Sequence, residues 1–304
     1  MLCCANINNN SNALDTIKYL CDIIEVDLYA TDNIGYNCLH YACNSGSLSI
    51  IKYLVEQHNM LIDGKTDQGC TILHIACING YMPIIEYCIE YLLYDINIPD
   101  NNNWSVLHYA VHYNNIKLID YLINNKANIY SIAHEGWSLL HIACRSEYCT
   151  TQTIELLDQY NINVHLLDNT NATCLTLACI KYNVVIVEYL LDSYIWSKEH
   201  IIHSVVCVMY KFNNDINLVK QNKSALLVLN ELKSTLDELN DNNNNTNNND
   251  NSSIDTNKYN SSTAFLYTIN EYFNNDNTSN YSIDILKQNV VTPRSRKSIT
   301  IKKS

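Results

Sequence analysis

Six short apolar groups recur along the chain: Ile17-Lys18-Tyr19-Leu20, Ile51-Lys52-Tyr53-Leu54, Ile85-Glu86-Tyr87-Cys88, Ile119-Asp120-Tyr121-Leu122, Ile154-Glu155-Leu156-Leu157 and Val187-Glu188-Tyr189-Leu190. Their first residues lie 34, 34, 34, 35 and 33 positions apart. Apolar residues around each group keep helical spacing, as in Ile50, Ile51, Leu54 and Val55, which predicts a short amphipathic helix. A second series runs in step ahead of five of them: Leu39-His40-Tyr41-Ala42, Leu73-His74-Ile75-Ala76, Leu107-His108-Tyr109-Ala110, Leu140-His141-Ile142-Ala143 and Leu175-Thr176-Leu177-Ala178. Each unit therefore reads as two short helices joined by a turn.

The polar positions between the helices repeat too. Three residues before each His, or its Thr176 equivalent, stand Asn37, Thr71, Ser105, Ser138 and Thr173, side chains that cap a helix by accepting a backbone N–H bond. Two residues earlier come Gly35, Gly69, Asn103, Gly136 and Asn171, residue types that tolerate a left-handed backbone and so predict a tight turn. Asp32, Asp100 and Asp168 precede three of these turns, where a carboxylate can accept from the following backbone.

The pattern Asp-x-x-Gly-x-Thr-x-Leu-His-x-Ala followed by a second helix resembles the ankyrin repeat family, over roughly Asp15 to Ser193, with five full units and an amino-terminal half unit. The resemblance implies an all-α solenoid, stabilised by each unit stacking on its neighbours. The proline that the family carries after the Thr is absent, replaced by Cys38, Ile72, Val106, Leu139 and Cys174, which should weaken each unit somewhat. The fourth unit has two extra residues between Cys144 and Ile154.

Composition narrows the function classes. The 304 residues include only 6 Gly and 3 Pro, too few for a loop-rich all-β fold. A net charge of −12 disfavours phosphate backbones and anionic lipid, so neither nucleic acid nor membrane is expected as a partner. No apolar run is long enough to span a bilayer, the longest, Ile201 to Tyr210, being interrupted by His203 and Ser204. The chain reads as a soluble, cytoplasmic monomer whose 13 Cys are reduced, with a nuclear location as the alternative.

Ten His and 13 Cys invite a search for a metal site or a Cys-His nucleophile. Periodicity answers it. Cys43, Cys77, Cys144 and Cys179 each follow the repeated Ala, and His40, His74, His108 and His141 share one repeat position, whereas a catalytic group occurs once with its own base and orienting partner. No Cys-x-x-Cys pair and no Gly-rich phosphate loop appears, so no catalytic residue, cofactor or metal is expected. The Tyr series Tyr19, Tyr53, Tyr87, Tyr121 and Tyr189 is expected to pack in or at the edge of the core rather than form a binding ladder.

Ankyrin-family proteins usually meet partner proteins through their turn tips and first helices, which form a concave surface. Trp104 and Trp137 occupy one turn position in adjacent units, where the repeat itself does not require them. They read either as exposed interface anchors, the preferred alternative, or as side chains packed on neighbouring turns. With Tyr36, Asn102, His112, Tyr113, His134, Glu135 and Arg145 they make up the candidate protein-binding residues.

The expected organisation is a repeat domain over 1–193, a helical extension or cap over 194–239, a disordered Asn-rich linker over 240–263, and a mostly disordered tail over 264–304 that ends in Arg294, Arg296, Lys297, Lys302 and Lys303. Glu199–Phe212 and Leu218–Leu239 read as helices, the latter with Leu226, Leu227, Leu229 and Leu232 on a broad apolar face. The function expected is that of a non-enzymatic scaffold or adaptor. The alternative is a substrate-recruiting subunit of a ubiquitin ligase or kinase complex that docks through its carboxy-terminal region.

Overall fold

The computed structural model describes residues 13–24, 26–211 and 222–246, and among them the secondary structure is helical, without strands. A single helix, α1 (Ala13–Asp22), precedes five helical pairs: α2 (Cys38–Asn44) with α3 (Leu48–His58), α4 (Ile72–Asn79) with α5 (Met82–Glu86), α6 (Val106–His112) with α7 (Ile116–Asn124), α8 (Leu139–Arg145) with α9 (Thr151–Asp158), and α10 (Cys174–Ile180) with α11 (Val184–Ser193). α12 (Lys198–Lys211) and α13 (Lys223–Thr246) follow. By contacts the chain divides into an amino-terminal body, Met1–Asp168, and a carboxy-terminal body, Asn169–Ser304.

In the amino-terminal body the first helices stack directly, α2 on α4, α4 on α6 and α6 on α8. This face carries the fully buried Leu39, Leu73, Leu107 and Leu140 and the small Ala42, Ala76, Ala110 and Ala143, which let the helices approach closely. Because a seven-residue helix such as α6 has too few internal bonds to persist alone, its order comes from this stacking. Leu107→Ala is therefore expected to cost about 3 kcal/mol in chemical unfolding, through a cavity between units. A loss well under 1 kcal/mol would contradict the packing described.

Each unit enters its first helix through a tight turn. Backbone bonds close it in the same way four times, from Asp32 N to Tyr36 O, Thr66 N to Cys70 O, Asp100 N to Trp104 O and Ala133 N to Trp137 O, at 2.8–3.0 Å. Gly35 (φ +78°) and Gly69 (φ +79°) hold the left-handed corner. Glycine is needed there twice over, since a Cβ on Gly69 would sit 2.6 Å from the backbone nitrogen of Asn101 in the next turn. Successive turns are bonded to each other, Asp67 N donating to Ile34 O, Asn101 N to Gln68 O and His134 N to Asn102 O.

The recurring His caps and clamps these helices. The backbone N–H groups of Asn37, Thr71, Ser105 and Ser138 donate to Nδ1 of His40, His74, His108 and His141 at 3.0–3.2 Å. A ring nitrogen that accepts an N–H carries no proton, so Nε2 is the protonated atom. In three units that atom donates onward to a backbone carbonyl nearer the next unit: His40 to Gly64, His74 to Trp104 and His108 to Ser131. Each of these three imidazoles thus satisfies a buried helix-start donor and bridges it to a part-buried loop carbonyl.

On the second helices a different link recurs. Tyr53 Oη donates to Asp22, Tyr87 Oη to Glu56 and Tyr121 Oη to Glu90, at 2.7–2.9 Å and a constant separation of 31 residues. Tyr53, Tyr87 and Tyr121 lie in or at the edge of the core as expected, but Tyr19 is exposed, because among the described residues no unit precedes it to supply the carboxylate. Between α5 and the next loop the chain widens into a π-helical turn, Tyr87–Tyr91.

In the carboxy-terminal body α12 packs on α10, and α13 packs on α11 and α12, the arrangement of a further, irregular pair. Thr176, which replaces the His, donates to Ser204 of α12 at 3.0 Å while Ser204 donates to the His200 carbonyl, so a hydroxyl chain stands where the imidazole stood. Trp196 is buried, its Nε1 donating to the Leu190 carbonyl. The apolar stripe of α13 is Ala225, Val228, Leu229, Leu232 and Leu236, with Leu227 exposed, which corrects the broader face expected from sequence. The helix also runs on to Thr246, into the Asn-rich stretch expected to be disordered, since extending an existing helix costs far less than nucleating one. The rest of that stretch and the basic tail lie outside the described residues.

Candidate protein-binding face

Apart from Tyr36 in the first unit, the predicted candidates come from the turns and first helices of the third and fourth units, and the structure sorts them into three groups. Trp104 follows its turn half-buried, its backbone N–H donating to Asp100 Oδ1 at 2.8 Å. Its ring lies 5.0 Å from Tyr109 and 5.6 Å from His112, the latter at the end of α6. Asp100 takes Tyr109 Oη on its other oxygen at 2.7 Å, so a buried carboxylate positions both the turn and the ring behind Trp104. Tyr109 is pushed well above the usual phenol range, by burial first and then by its neighbours Cys70 and Asp100, and it stays a neutral donor.

His112 is the centre of the first group. Trp104, Tyr113 and Tyr148 meet its ring edge-on, with centroids at 5.6, 5.0 and 6.3 Å and interplanar angles of 69°, 79° and 84°. Tyr113 and Tyr148 also face each other at 6.0 Å. Edge-to-face contacts of this kind add to simple area burial and hold rings in place. Tyr148 is 55% exposed, and His112 and Tyr113 are half-buried, so the cluster is rigid yet open to solvent.

Tyr148 was not among the predicted residues. It lies in the expanded turn of the fourth unit, and the structure shows why that turn is ordered. Ser146, almost fully buried, donates from Oγ to the His112 carbonyl at 2.5 Å and accepts the Tyr148 N–H at 3.0 Å. Thr150 and Thr153 both donate to Asn114 Oδ1. The only signal in the sequence was the insertion itself, an aromatic placed where the repeat imposes nothing.

The second group is closed. Trp137 is 7% exposed, contrary to the expectation that it stands free of the core. Its Nε1 donates to Asp168 Oδ2 of the following turn at 3.1 Å, and the Arg145 guanidinium lies over its ring at 4.3 Å. The turn of this unit begins with Ala133 in place of Asp, and Trp137 is instead tied forward to the next turn's carboxylate. The alternative reading, packing on a neighbouring turn, is therefore the one that holds for Trp137.

The remaining candidates are scattered. Asn102 and His134 are exposed on adjacent turns and joined through their backbones, and Glu135 takes a left-handed conformation at φ +72°. Tyr36 stacks with His40 and Tyr41 at 5.5 and 5.4 Å, in the first turn, apart from the cluster.

The residues that looked catalytic are sealed. Burial lowers His40 and His74 and holds His108 at about 4, against the carbonyl bond from Ser131 that works the other way. Burial likewise pushes Cys43 and Cys77 well above the ordinary thiol value and Cys88 and Cys149 up to about 12, leaving neutral thiols with no nucleophilic form near neutral pH. Among the described residues no group of three or more His, Cys, Asp or Glu is placed to hold a metal ion, and no helix is long and apolar enough to cross a membrane.

A family model described as ankyrin repeats (3 copies) matches residues 1–90, 59–132 and 86–166. The chain belongs to the ankyrin-repeat family. Ankyrin repeats are protein–protein interaction modules, generally without catalytic activity. No curated protein matches the chain.

Proposed function

We propose that this ankyrin-repeat protein is a non-enzymatic scaffold or adaptor, and that it holds a partner protein on the turn-and-first-helix face with Trp104, His112, Tyr113 and Tyr148 as anchors. The observation that carries this reading is the cluster itself: aromatic rings held in fixed geometry by Asp100, Ser146 and Asn114 while leaving Tyr148 more than half exposed. Rings that served the core alone would be covered, as Trp137 is. Pre-ordered, partly exposed aromatics are the usual hot spots of protein interfaces, because little entropy remains to be lost on binding.

The scaffold reading is favoured over a substrate-recruiting subunit that docks through its carboxy-terminal region. Ile201, Val205 and Val208 of α12 and the apolar stripe of α13 are already buried, so these side chains are not available to a second partner.

Affinity capture with full-length protein tests the proposal. Trp104→Ala and Tyr148→Ala are each expected to reduce the captured partner at least tenfold, about 1.4 kcal/mol, while circular dichroism shows the helices intact. Undiminished capture by both variants would remove this face from consideration.

A further inference from the structure

The amino-terminal body carries the whole net charge of the chain: 18 Asp and Glu stand against 6 Lys and Arg between Met1 and Asp168, and the remainder balances at 13 of each. Of those six basic residues Lys65 and Arg145 come from the turns and first helices; Lys126 follows the end of α7, Lys117 lies on α7, Lys18 pairs with Asp15 on α1, and Lys52 lies over two rings on the second-helix side. On the turn side Asp67 and Glu147 are exposed and Glu135 is partly exposed. Glu147 immediately precedes Tyr148 in the ordered insertion.

Rings in this body already take cations. The Arg145 guanidinium sits 4.3 Å from the Trp137 ring, and Lys52 Nζ sits 5.1 Å from Tyr87 and 5.8 Å from Tyr91. The negative face of an aromatic ring attracts a cation, and the attraction grows where other charges nearby are of opposite sign. A guanidinium suits such a place better than an ammonium, because it lies flat on a ring and still directs N–H groups in its plane towards a carboxylate at the ring edge.

We propose that the exposed ring of Tyr148 and the half-buried rings of Trp104 and Tyr113 beside it take arginine side chains from an extended, basic segment of the partner protein, drawn in by the acidic excess of this body. The inference rests on the reading that this face is the docking face, and it adds the chemistry of what docks there. The aromatic surface contributes the discrimination between arginine and lysine, while the acidic body contributes attraction at longer range that salt screens.

Fluorescence anisotropy on the full chain tests it, with four fluorescein-labelled octapeptides in which alanine alternates with arginine, lysine, glutamine or glutamate. The arginine peptide is expected to bind about tenfold tighter than the lysine peptide of equal charge, and the glutamine and glutamate peptides far more weakly. Tyr148→Ala leaves the net charge unchanged, so a purely coulombic attachment to the acidic body would survive it. It is expected to abolish the preference for arginine. Tyr148→Phe, which keeps the ring, should retain the preference and guards against loss through misfolding.

Equal binding of the arginine and lysine peptides, or an arginine preference that survives Tyr148→Ala, overturns the proposal. If partner capture still depends on Trp104 and Tyr148 in that event, the docking face stands and only the arginine chemistry is lost. If neither measurement depends on these residues, both readings fall together.

Discussion

Trp137→Ala is expected to destabilise the amino-terminal body by about 3–5 kcal/mol, read as a shift in chemical-denaturation midpoint, in contrast to the near-native stability expected of Tyr148→Ala. Three losses combine. The indole fills a site only 7% exposed, so its removal leaves a cavity. The Nε1–H bond to Asp168, a buried carboxylate, disappears. The Arg145 guanidinium loses the ring it covers. Trp137→Phe should recover most of the cavity term but not the Nε1–H bond, placing it between the two. Should Trp137→Ala unfold like the wild type, the indole would have to lie outside the packed turns, and the division between a closed and an open tryptophan would fail.

The second large effect is at His108. Its imidazole is fully buried and joins the Ser105 N–H to the Ser131 carbonyl, so His108→Ala leaves a cavity, a buried N–H and a part-buried carbonyl without this partner. A loss of about 3–5 kcal/mol is expected in chemical denaturation. The same burial makes the wild type sensitive to acid. In the folded protein His108 titrates at about 4, whereas in the unfolded chain it takes the ordinary His value of about 6.5. Between these values the unfolded chain binds more protons, so stability is fully present above about pH 6.5 and falls as pH drops towards 4. His108 alone contributes on the order of 3 kcal/mol to that fall. His40 and His74 are lowered for the same first cause, burial, and add in the same direction. Stability measured from pH 7 to pH 4 should decline across this window, and a flat profile down to pH 5 would contradict buried neutral imidazoles.

Much of the fold was legible because the same physical demand recurs in each unit. A helix start needs its first N–H groups satisfied, a tight turn needs a left-handed residue, and stacked first helices need a small residue at their closest approach. Asn37, Thr71, Ser105, Ser138 and Thr173, the Gly and Asn corners, and the repeated Ala each meet one of these demands, so their phase reports the architecture. The histidines followed the same logic, each accepting the N–H at the start of its own helix.

The Tyr-to-carboxylate links were present in the sequence as Tyr19 with Asp22, Tyr53 with Glu56 and Tyr87 with Glu90, but helical spacing suggests pairs within one helix. The structure joins each carboxylate to the Tyr of the following unit instead.

The candidate site was legible only in part. Sequence register brought Trp104, His112 and Tyr113 to one region, because register follows from the repeat. It gave Trp104 and Trp137 the same status, since they hold the same position, and could not show that one ring stays partly open while the other closes on Asp168 and Arg145. That difference depends on what the following turn offers, a distance of 31 residues along the chain. Tyr148 lay outside the repeat altogether, and its place beside His112 comes from the Ser146 anchor.

The amino-acid sequence by itself determined the repeating helical pair, its period, its caps and corners, and the burial of its His and Cys, because local helix and turn chemistry repeats wherever the same residues do. Only the tertiary structure decided which aromatic rings are spent on stability and which remain for a partner, because exposure belongs to a residue's neighbours across units and has no period of its own.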